Sequence, residues 1–192
     1  VEAGGVLITL GSATRFAADA DIALLDVKRE LAVKVEEAKD KPDSESSTVA
    51  GKVYANRQAL VKDSENVEES PDFVAGILAN VEVDQEHWLT AGVAPDVVAM
   101  VYGNDIYTPI RLASGKNLAW FADEKNVLAS GFLWQENKQQ LAYKPFLIHQ
   151  PRGNGMVIGF TQEPTTRAYL DGLNVMLLNS IFSASAHAHV AK

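Results

Sequence analysis

The stretch FLIHQPRGNGMVIGF, residues 146–160, sets two apolar runs on either side of a glycine-rich turn. Residues 146–149 and 156–160 each have the length of a short strand. Gly153 and Gly155 can adopt the positive φ angles that tight turns need. This pattern predicts a β-hairpin. It also argues against a nucleotide-binding loop, because a dinucleotide-binding loop joins a strand to a helix.

Further strands are predicted on the amino-terminal side of this hairpin. Beyond Phe73, apolar runs separated by turn residues occur at 77–83, 97–102, 118–122 and 127–134. Near the start of the chain, the run 6–10 follows two glycines and is continuously apolar. Such a run is typical of a strand buried on both faces, as in a parallel sheet. Ser12 or Thr14 is then expected to cap a helix.

Two helices are predicted from apolar spacings of three and four residues, which place apolar side chains on one helix face. The stripes are Leu24, Val27, Leu31, Val35 and Ala38, in a helix that begins near Ala20, and Leu170, Leu173, Leu177 and Ile181, in a helix near the end of the chain. Pro164 and Thr165 provide a start signal for the second helix. Its tail, 183–192, is expected to fray. Residues 39–72 are polar and are expected to form a variable segment within one domain spanning 1–192.

Composition excludes several functional classes. The chain has 192 residues, a formal net charge of −8 and no cysteine. An acidic chain repels nucleic acid phosphates, so we expect no nucleic acid partner. The lack of cysteine excludes disulfides, thiolate zinc sites and cysteine nucleophiles within this sequence. No apolar run approaches the roughly 18 residues of a membrane-spanning helix, so no span is predicted.

Four segments resemble a known family. They are ILANVEVDQEHWLTAG (77–92), GKNLAWFADEKNVLASGFL (115–133), PRGNGMVIGFTQEPTTRAYLDG (151–172) and NVMLLNSIF (174–182). Their order resembles the C-terminal domain of large bacterial proteins of the zinc carboxypeptidase family. That domain is similar in fold to class I glutamine amidotransferases. Ala75-Gly76 stands where the family usually has Pro-Gly, and Trp88 stands where proline often follows the histidine, which marks a divergent member.

The resemblance implies both a fold and a parent protein. The fold is α/β, a three-layer flavodoxin-like sandwich with a mixed sheet and a C-terminal β-hairpin plus helix. The parent is a secreted or periplasmic protein whose N-terminal peptidase domain would be this chain's partner and would hold the zinc. Because Val1 stands almost directly before the first strand, we expect the chain to be a fragment or processed product.

Zinc chemistry is not expected within this chain. A carboxypeptidase site needs a histidine with a glutamate three residues later, and a distant second histidine. None of the histidines, which are His87, His149, His187 and His189, has an acidic residue three positions later. His187 and His189 would meet on an extended chain as a weak chelate, but a mobile tail does not preorganise a site. We therefore predict no metal or cofactor here.

A hydrolytic nucleophile is not evident either. The amidotransferase resemblance implies a Cys-His-Glu triad, but the chain has no cysteine and the corresponding strand-to-helix bend would precede Val1. No Gly-x-Ser-x-Gly motif offers a serine instead. One candidate is a catalytic general base formed by His149 with Glu136 or Glu163 as its acidic partner. A structural or solvent-facing histidine is the other interpretation, and it is favoured.

Arg167 and a group of aromatic residues remain as candidate contacts. Arg167 is predicted in the first turn of the last helix, where its charge opposes the helix dipole. A structural salt bridge is the favoured interpretation, and an anion contact at the helix start is the alternative. Trp88, Trp120, Phe121, Phe132 and Trp134 are expected near strand ends, as core and interface residues or as the lining of a sugar or peptide groove.

The expected function is that of a non-catalytic accessory or scaffold domain. Its parent would hydrolyse peptides with a zinc-activated water, and no catalytic residue is assigned in this chain. Two alternatives stay open. One is a binding module for carbohydrate or cell-wall peptide. The other is an amidotransferase-like hydrolase whose nucleophile lies outside the sequence.

Overall fold

The computed structural model describes residues 1–32 and 71–188, which are built on one curled mixed β-sheet. Its strands are β1 (Val6–Leu10), β2 (Val74–Val83), β3 (Asp96–Gly103), β4 (Lys116–Phe121), β5 (Leu128–Ser130), β6 (Pro145–Arg152) and β7 (Gly155–Phe160). The α-helices in these ranges are α1 (Thr14–Ala18), α2 (Gln135–Leu141) and α3 (Asp171–His187). Short 3-10 turns occupy Gly11–Ala13, Trp88–Thr90 and Thr166–Ala168. The protein is therefore a mixed α/β fold that has a C-terminal helix.

The strand order is β1-β7-β6-β4-β2-β3, with β5 pairing alongside β2. The pair β1–β7 is parallel and the other pairs are antiparallel. The predicted hairpin is confirmed, because β6 and β7 pair up to Arg152 and Gly155, and Gly153 has φ 59° at the turn. The prediction of a parallel strand at 6–10 is also confirmed. Its predicted burial on both faces is wrong, since β1 is an edge strand and most of its residues are half-buried.

Side chains of β7 alternate between two hydrophobic layers, as the strand period of two requires. Met156, Ile158 and Phe160 join the larger core, which also contains buried residues of α3. Val157 points to the opposite face and packs with a second cluster that includes Leu25. The larger core is covered in part by α3, whereas the second is covered by the end of α1, by the irregular chain that follows it up to residue 27, and by residues 107–110.

The predicted helix from Ala20 is wrong for the part of it that is described. Residues 20–32 run through turns and extended chain, and Ala23 has φ 47°, outside the right-handed helical region. Arg29 forms an antiparallel bridge with Tyr107, and the Glu30 N–H donates to the Ile106 carbonyl at 2.7 Å. Tertiary pairing therefore satisfies backbone groups that a helix would have used. Val35, Ala38 and residues 39–70 of the predicted variable segment lie outside the described residues.

Three further predictions, on a strand, a helix cap and a helix boundary, are wrong. The predicted strand 127–134 is only the short β5. Gly131, with φ 104°, turns the chain after β5, and the chain then enters α2. This helix was not predicted, because its sequence has no apolar stripe. Neither Ser12 nor Thr14 caps α1; the Thr14 hydroxyl instead donates to the Phe160 carbonyl at 2.6 Å. The last helix starts at Asp171 rather than after Pro164, and it runs through His187 rather than fraying from residue 183.

The remaining strand predictions are confirmed. Runs 77–83, 97–102 and 118–122 correspond to β2, β3 and β4, with β2 and β3 slightly longer than predicted. Across residues 1–32 and 71–188, we find no helix that is long and apolar enough to cross a membrane.

Candidate functional site

Three histidines gather around Trp88 where the C-terminal end of α3 meets the sheet. The imidazole of His187 stacks on the indole of Trp88, with ring centroids 4.3 Å apart and planes 8° apart. The rings of His87 and His149 lie 5.1 Å apart, and that of His149 meets Trp88 edge-on at 6.2 Å. We call these four residues the histidine–tryptophan cluster. Its members come from the loop after β2, from β6 and from α3.

Burial and positive neighbours lower the pKa values of two histidines in this cluster, His149 and His87. Burial, followed by the charges of His87 and Lys116, lowers the pKa of His149 to about 4. Burial also lowers the pKa of His87, with Lys116 acting in the same direction and Asp84 against it. The His87 Nδ1 accepts a hydrogen bond from the Leu89 N–H at 3.2 Å, whereas the buried His149 Nε2 has no partner in the described residues.

The cluster does not have the form of a metal centre. Within 1–32 and 71–188, no three histidine, aspartate or glutamate side chains are arranged to hold a metal ion. His187 belongs to α3, so it is not on the extended chain that the His187–His189 chelate requires, and His189 lies outside the described residues. Among the described residues, no hydrogen bond or ion pair joins His149 to Glu136 or Glu163. The candidate pairing of His149 as a general base with either glutamate is therefore not seen.

Arg167 does not occupy the predicted position. It precedes α3, has φ 51° and is exposed, so it does not oppose the dipole from within a first helical turn. Considering only described residues, no carboxylate lies within ion-pair distance of Arg167. The predicted structural salt bridge is thus not seen, and the anion contact stays a prediction.

The five aromatic residues do not share one groove. Phe121 is buried in the core against Phe146, with centroids 6.0 Å apart. The Trp120 Nε1 donates to the Glu82 carboxylate at 2.9 Å. Phe132 and Trp134 form an exposed edge-to-face pair at 4.9 Å. With Trp88 in the histidine–tryptophan cluster, these side chains are divided among separate places in the molecule.

A pocket that sequence reasoning missed opens at the carboxyl ends of β1, β7 and β3. We call it the carboxyl-edge pocket; it measures about 410 Å³, and its lining includes Ser12, Arg15, Phe73, Tyr102, Asp105, Gln162 and Glu163. Carboxyl ends of parallel strands are the usual ligand position in α/β sheets. Its volume also falls in the range of small-molecule sites, which runs from about 300 to 1,000 Å³.

An ion cluster forms the floor of this pocket. Asp105 is almost fully buried and forms ion pairs with two arginines: it accepts the Nε–H of Arg15 at 2.7 Å, and the Nε of Arg29 lies 2.8 Å from its Oδ1. The buried Gln162 amide fixes the surrounding backbone: its Nε2 donates to the Asp105 carbonyl, and its Oε1 accepts from the Tyr102 N–H, each at 3.2 Å. These contacts hold the floor rigidly because every buried polar group in them has a partner.

The rim of the pocket is aromatic. Phe73 and Tyr102 pack edge-to-face with centroids 5.0 Å apart. They remain 56% and 60% exposed, respectively, so they present apolar surface next to a charged floor. The one sequence signal for this region was the run 6–10 followed by Gly11 and a helix, which placed a strand-to-helix turn there. It did not reveal the residues that the turn would face.

A scan against protein-family models finds none that matches this chain. A search of curated proteins likewise returns no significant match.

Proposed function

We propose that this chain is a non-catalytic accessory domain of a secreted or periplasmic zinc-carboxypeptidase-like protein, as the four sequence segments suggest. In this proposal the fold is a divergent form of the flavodoxin-like, class I glutamine amidotransferase-like sandwich. The parallel pair β1–β7 and the order of hairpin followed by α3 support that relationship. The divergence is expressed in the antiparallel pairing of the other strands.

The main support for this proposal is that the outer face of α3 is apolar and exposed. Leu178, Ile181 and Phe182 are 49%, 52% and 75% exposed, and their spacing places them together on the helix. The opposite face of α3 is already buried in the larger core through Leu173 and Met176. A surface helix normally turns polar residues outward, and a contiguous exposed apolar patch is typical of an interaction surface.

The partner we assign to this face is the peptidase domain of the parent. That domain would supply the zinc-activated water and the substrate pocket. The present chain would position or stabilise it by burying the apolar stripe of α3. No residue of this chain takes a catalytic role in the proposal.

Mixing the chain with the peptidase domain of its parent tests the proposal. We expect a one-to-one complex by analytical ultracentrifugation and at least tenfold weaker binding for Ile181→Glu and Phe182→Glu. Phe16→Glu is the matched control, because Phe16 is 57% exposed on α1, whose buried residue Ala17 packs in the second cluster on the opposite face of the sheet. Wild-type binding by all three variants, each shown to be folded by circular dichroism, would refute the docking role of α3. So would the absence of any complex.

A carbohydrate- or cell-wall-peptide-binding role is the second candidate. The exposed Phe132–Trp134 pair favours it, because paired exposed aromatic rings are a common platform for such ligands. Sedimentation with purified cell-wall material, compared between the wild type and Trp134→Ala, distinguishes this role from the accessory role. If the wild type sediments with the cell-wall material and Trp134→Ala does not, the role of a binding module would be favoured.

A further inference from the structure

We propose that the carboxyl-edge pocket binds a free α-amino acid with an aromatic or large apolar side chain. In this assignment Arg15 receives the carboxylate, Glu163 receives the ammonium group, and the Phe73–Tyr102 rim packs on the side chain. The inference goes beyond the accessory role, because it concerns a ligand of this chain alone and does not depend on α3 docking.

Arg15 is oriented for a carboxylate. Its Nε donates to both oxygens of Asp105, at 2.9 and 2.7 Å. These are its hydrogen bonds within the described residues, so both terminal amino groups keep their N–H donors. The side chain is 48% exposed and lines the pocket. A guanidinium held at one edge and open at the other is suited to paired hydrogen bonds with a carboxylate.

The charges of the pocket match a zwitterion. Asp105 carries one negative charge and is shared between two guanidinium groups, that of Arg15, which lines the pocket, and that of Arg29, which does not, so Asp105 does not fully neutralise Arg15. Glu163 supplies a negative charge on the lining. Its Oε1 accepts hydrogen bonds from the N–H and hydroxyl of Thr165, which orients the carboxylate. A ligand with one charge of each sign would complement both groups.

The rim adds apolar surface of the right kind. Phe73 and Tyr102 stand edge-to-face and more than half exposed beside the charged floor, and Met100 also contributes to the lining. Apolar walls with a few placed polar groups are the usual composition of small-molecule sites. An aromatic or large aliphatic side chain would bury this surface, whereas glycine would leave it exposed to water.

The walls are already held in position. Gly11 has φ 51°, and a β-carbon there would lie 3.4 Å from the backbone nitrogen of Glu163, so the turn after β1 packs closely on the segment after β7. Gln162 ties that segment to Tyr102 and Asp105. A pocket whose walls are fixed before binding loses little conformational entropy when a ligand enters.

Isothermal titration calorimetry with L-phenylalanine tests the assignment. We expect saturable one-to-one binding that is at least tenfold weaker for L-phenylalaninamide, which lacks the carboxylate, and for 3-phenylpropionate, which lacks the ammonium group. Glycine, which lacks the apolar body, should also bind at least tenfold more weakly. The absence of saturable L-phenylalanine binding would overturn the proposal. Equal affinity for 3-phenylpropionate would overturn the role of Glu163.

Variants locate the site. Arg15→Gln and Glu163→Gln are each expected to weaken L-phenylalanine binding at least tenfold, and Tyr102→Ala severalfold. Arg111→Gln is the control, because Arg111 is an exposed arginine that does not line the pocket, and it should bind within twofold of wild type. If Arg15→Gln fails to fold because it loses its contact with Asp105, Glu163→Gln and Tyr102→Ala still test where the ligand binds. Unchanged binding by these two variants would place the ligand elsewhere and refute the assignment.

Discussion

The indole of Trp88 and the imidazole of His187 lie face to face, 4.3 Å apart at their centroids and 8° from parallel. This stack joins the 3-10 turn Trp88–Thr90 to the C-terminal end of α3. Asn179 reinforces the same junction, because its Nδ2 donates to the carbonyls of Leu89 at 3.1 Å and Ala91 at 2.9 Å. The turn after β2 is therefore a principal anchor of α3.

Removing the Asn179 amide should loosen this anchor. We expect Asn179→Ala to lower the free energy of unfolding by about 1–2 kcal/mol, because two carbonyl partners are lost. Asn174→Ala on the same helix makes the same chemical change without these contacts and should cost less than about 0.5 kcal/mol. Urea denaturation followed by circular dichroism measures both. Equal losses for the two variants would mean that the turn does not anchor α3.

Acid should destabilise the protein through His149. Its pKa falls from an ordinary value of 6.5 to about 4 in the folded state, so the unfolded chain binds a proton first as the pH drops. Stability is therefore retained above pH 6.5 and lost progressively between pH 6.5 and about 4. His87, His187 and Lys116 all face His149 with the same sign of charge.

The variant His149→Gln isolates this effect. After a discount for solvent screening at a half-buried site, we expect the wild type to lose on the order of 1–2 kcal/mol more than the variant between pH 7.5 and pH 4.5. Urea unfolding at the two pH values gives the difference directly and cancels the contribution of the carboxylates. An identical pH dependence in the two proteins would show that His149 takes up its proton in the folded state without penalty.

The close approach of the N-terminal segment to the hairpin should make Gly155 intolerant of any side chain. A β-carbon at Gly155 would overlap the carbonyl oxygens of Gly5 and Val1, which are backbone atoms that cannot rotate away. We expect Gly155→Ala to cost about 2–4 kcal/mol in thermal or urea unfolding. Gly92→Ala should cost only about 1 kcal/mol, because Gly92 has φ 78° but no neighbour in the way. Similar costs at both positions would contradict the packing at the hairpin.

Asp105 should contribute strongly to stability, since it neutralises two arginines from an almost fully buried position. Asp105→Asn leaves Arg15 and Arg29 facing a neutral amide, and we expect a loss of about 3 kcal/mol. The exposed Asp96→Asn should change stability by less than about 0.5 kcal/mol. Raising the salt concentration should narrow the gap between wild type and Asp105→Asn. A loss no larger than that of Asp96→Asn would show that the ion cluster does not hold the floor of the pocket.

Local signals predicted the strands well. The Gly-Asn-Gly turn specifies a hairpin almost by itself, since its glycine at 153 takes the positive φ that the turn needs. The spacing of Leu24, Val27 and Leu31 was misleading, because Leu25 and Val27 are in fact the buried residues of an extended segment. Only the distant pairing of Arg29 with Tyr107 decides between the two interpretations, and no local pattern contains that information.

The sites were harder to predict than the fold for the same reason. Arg15 and Asp105 are 90 positions apart in sequence, yet they form one ion cluster. His87, His149 and His187 come from three separate elements and share no spacing motif. Motif reasoning examines neighbours along the chain, whereas both arrangements are created by the order of strands in the sheet.

The proposed non-catalytic role of this chain is best tested by a carboxypeptidase assay on blocked dipeptides. The purified chain is loaded with zinc, its metal content is measured, and the release of C-terminal amino acids is followed. We expect no stoichiometric zinc and no turnover above the protein-free rate. Stoichiometric zinc accompanied by turnover would contradict the proposed role and would place a catalytic centre within these 192 residues.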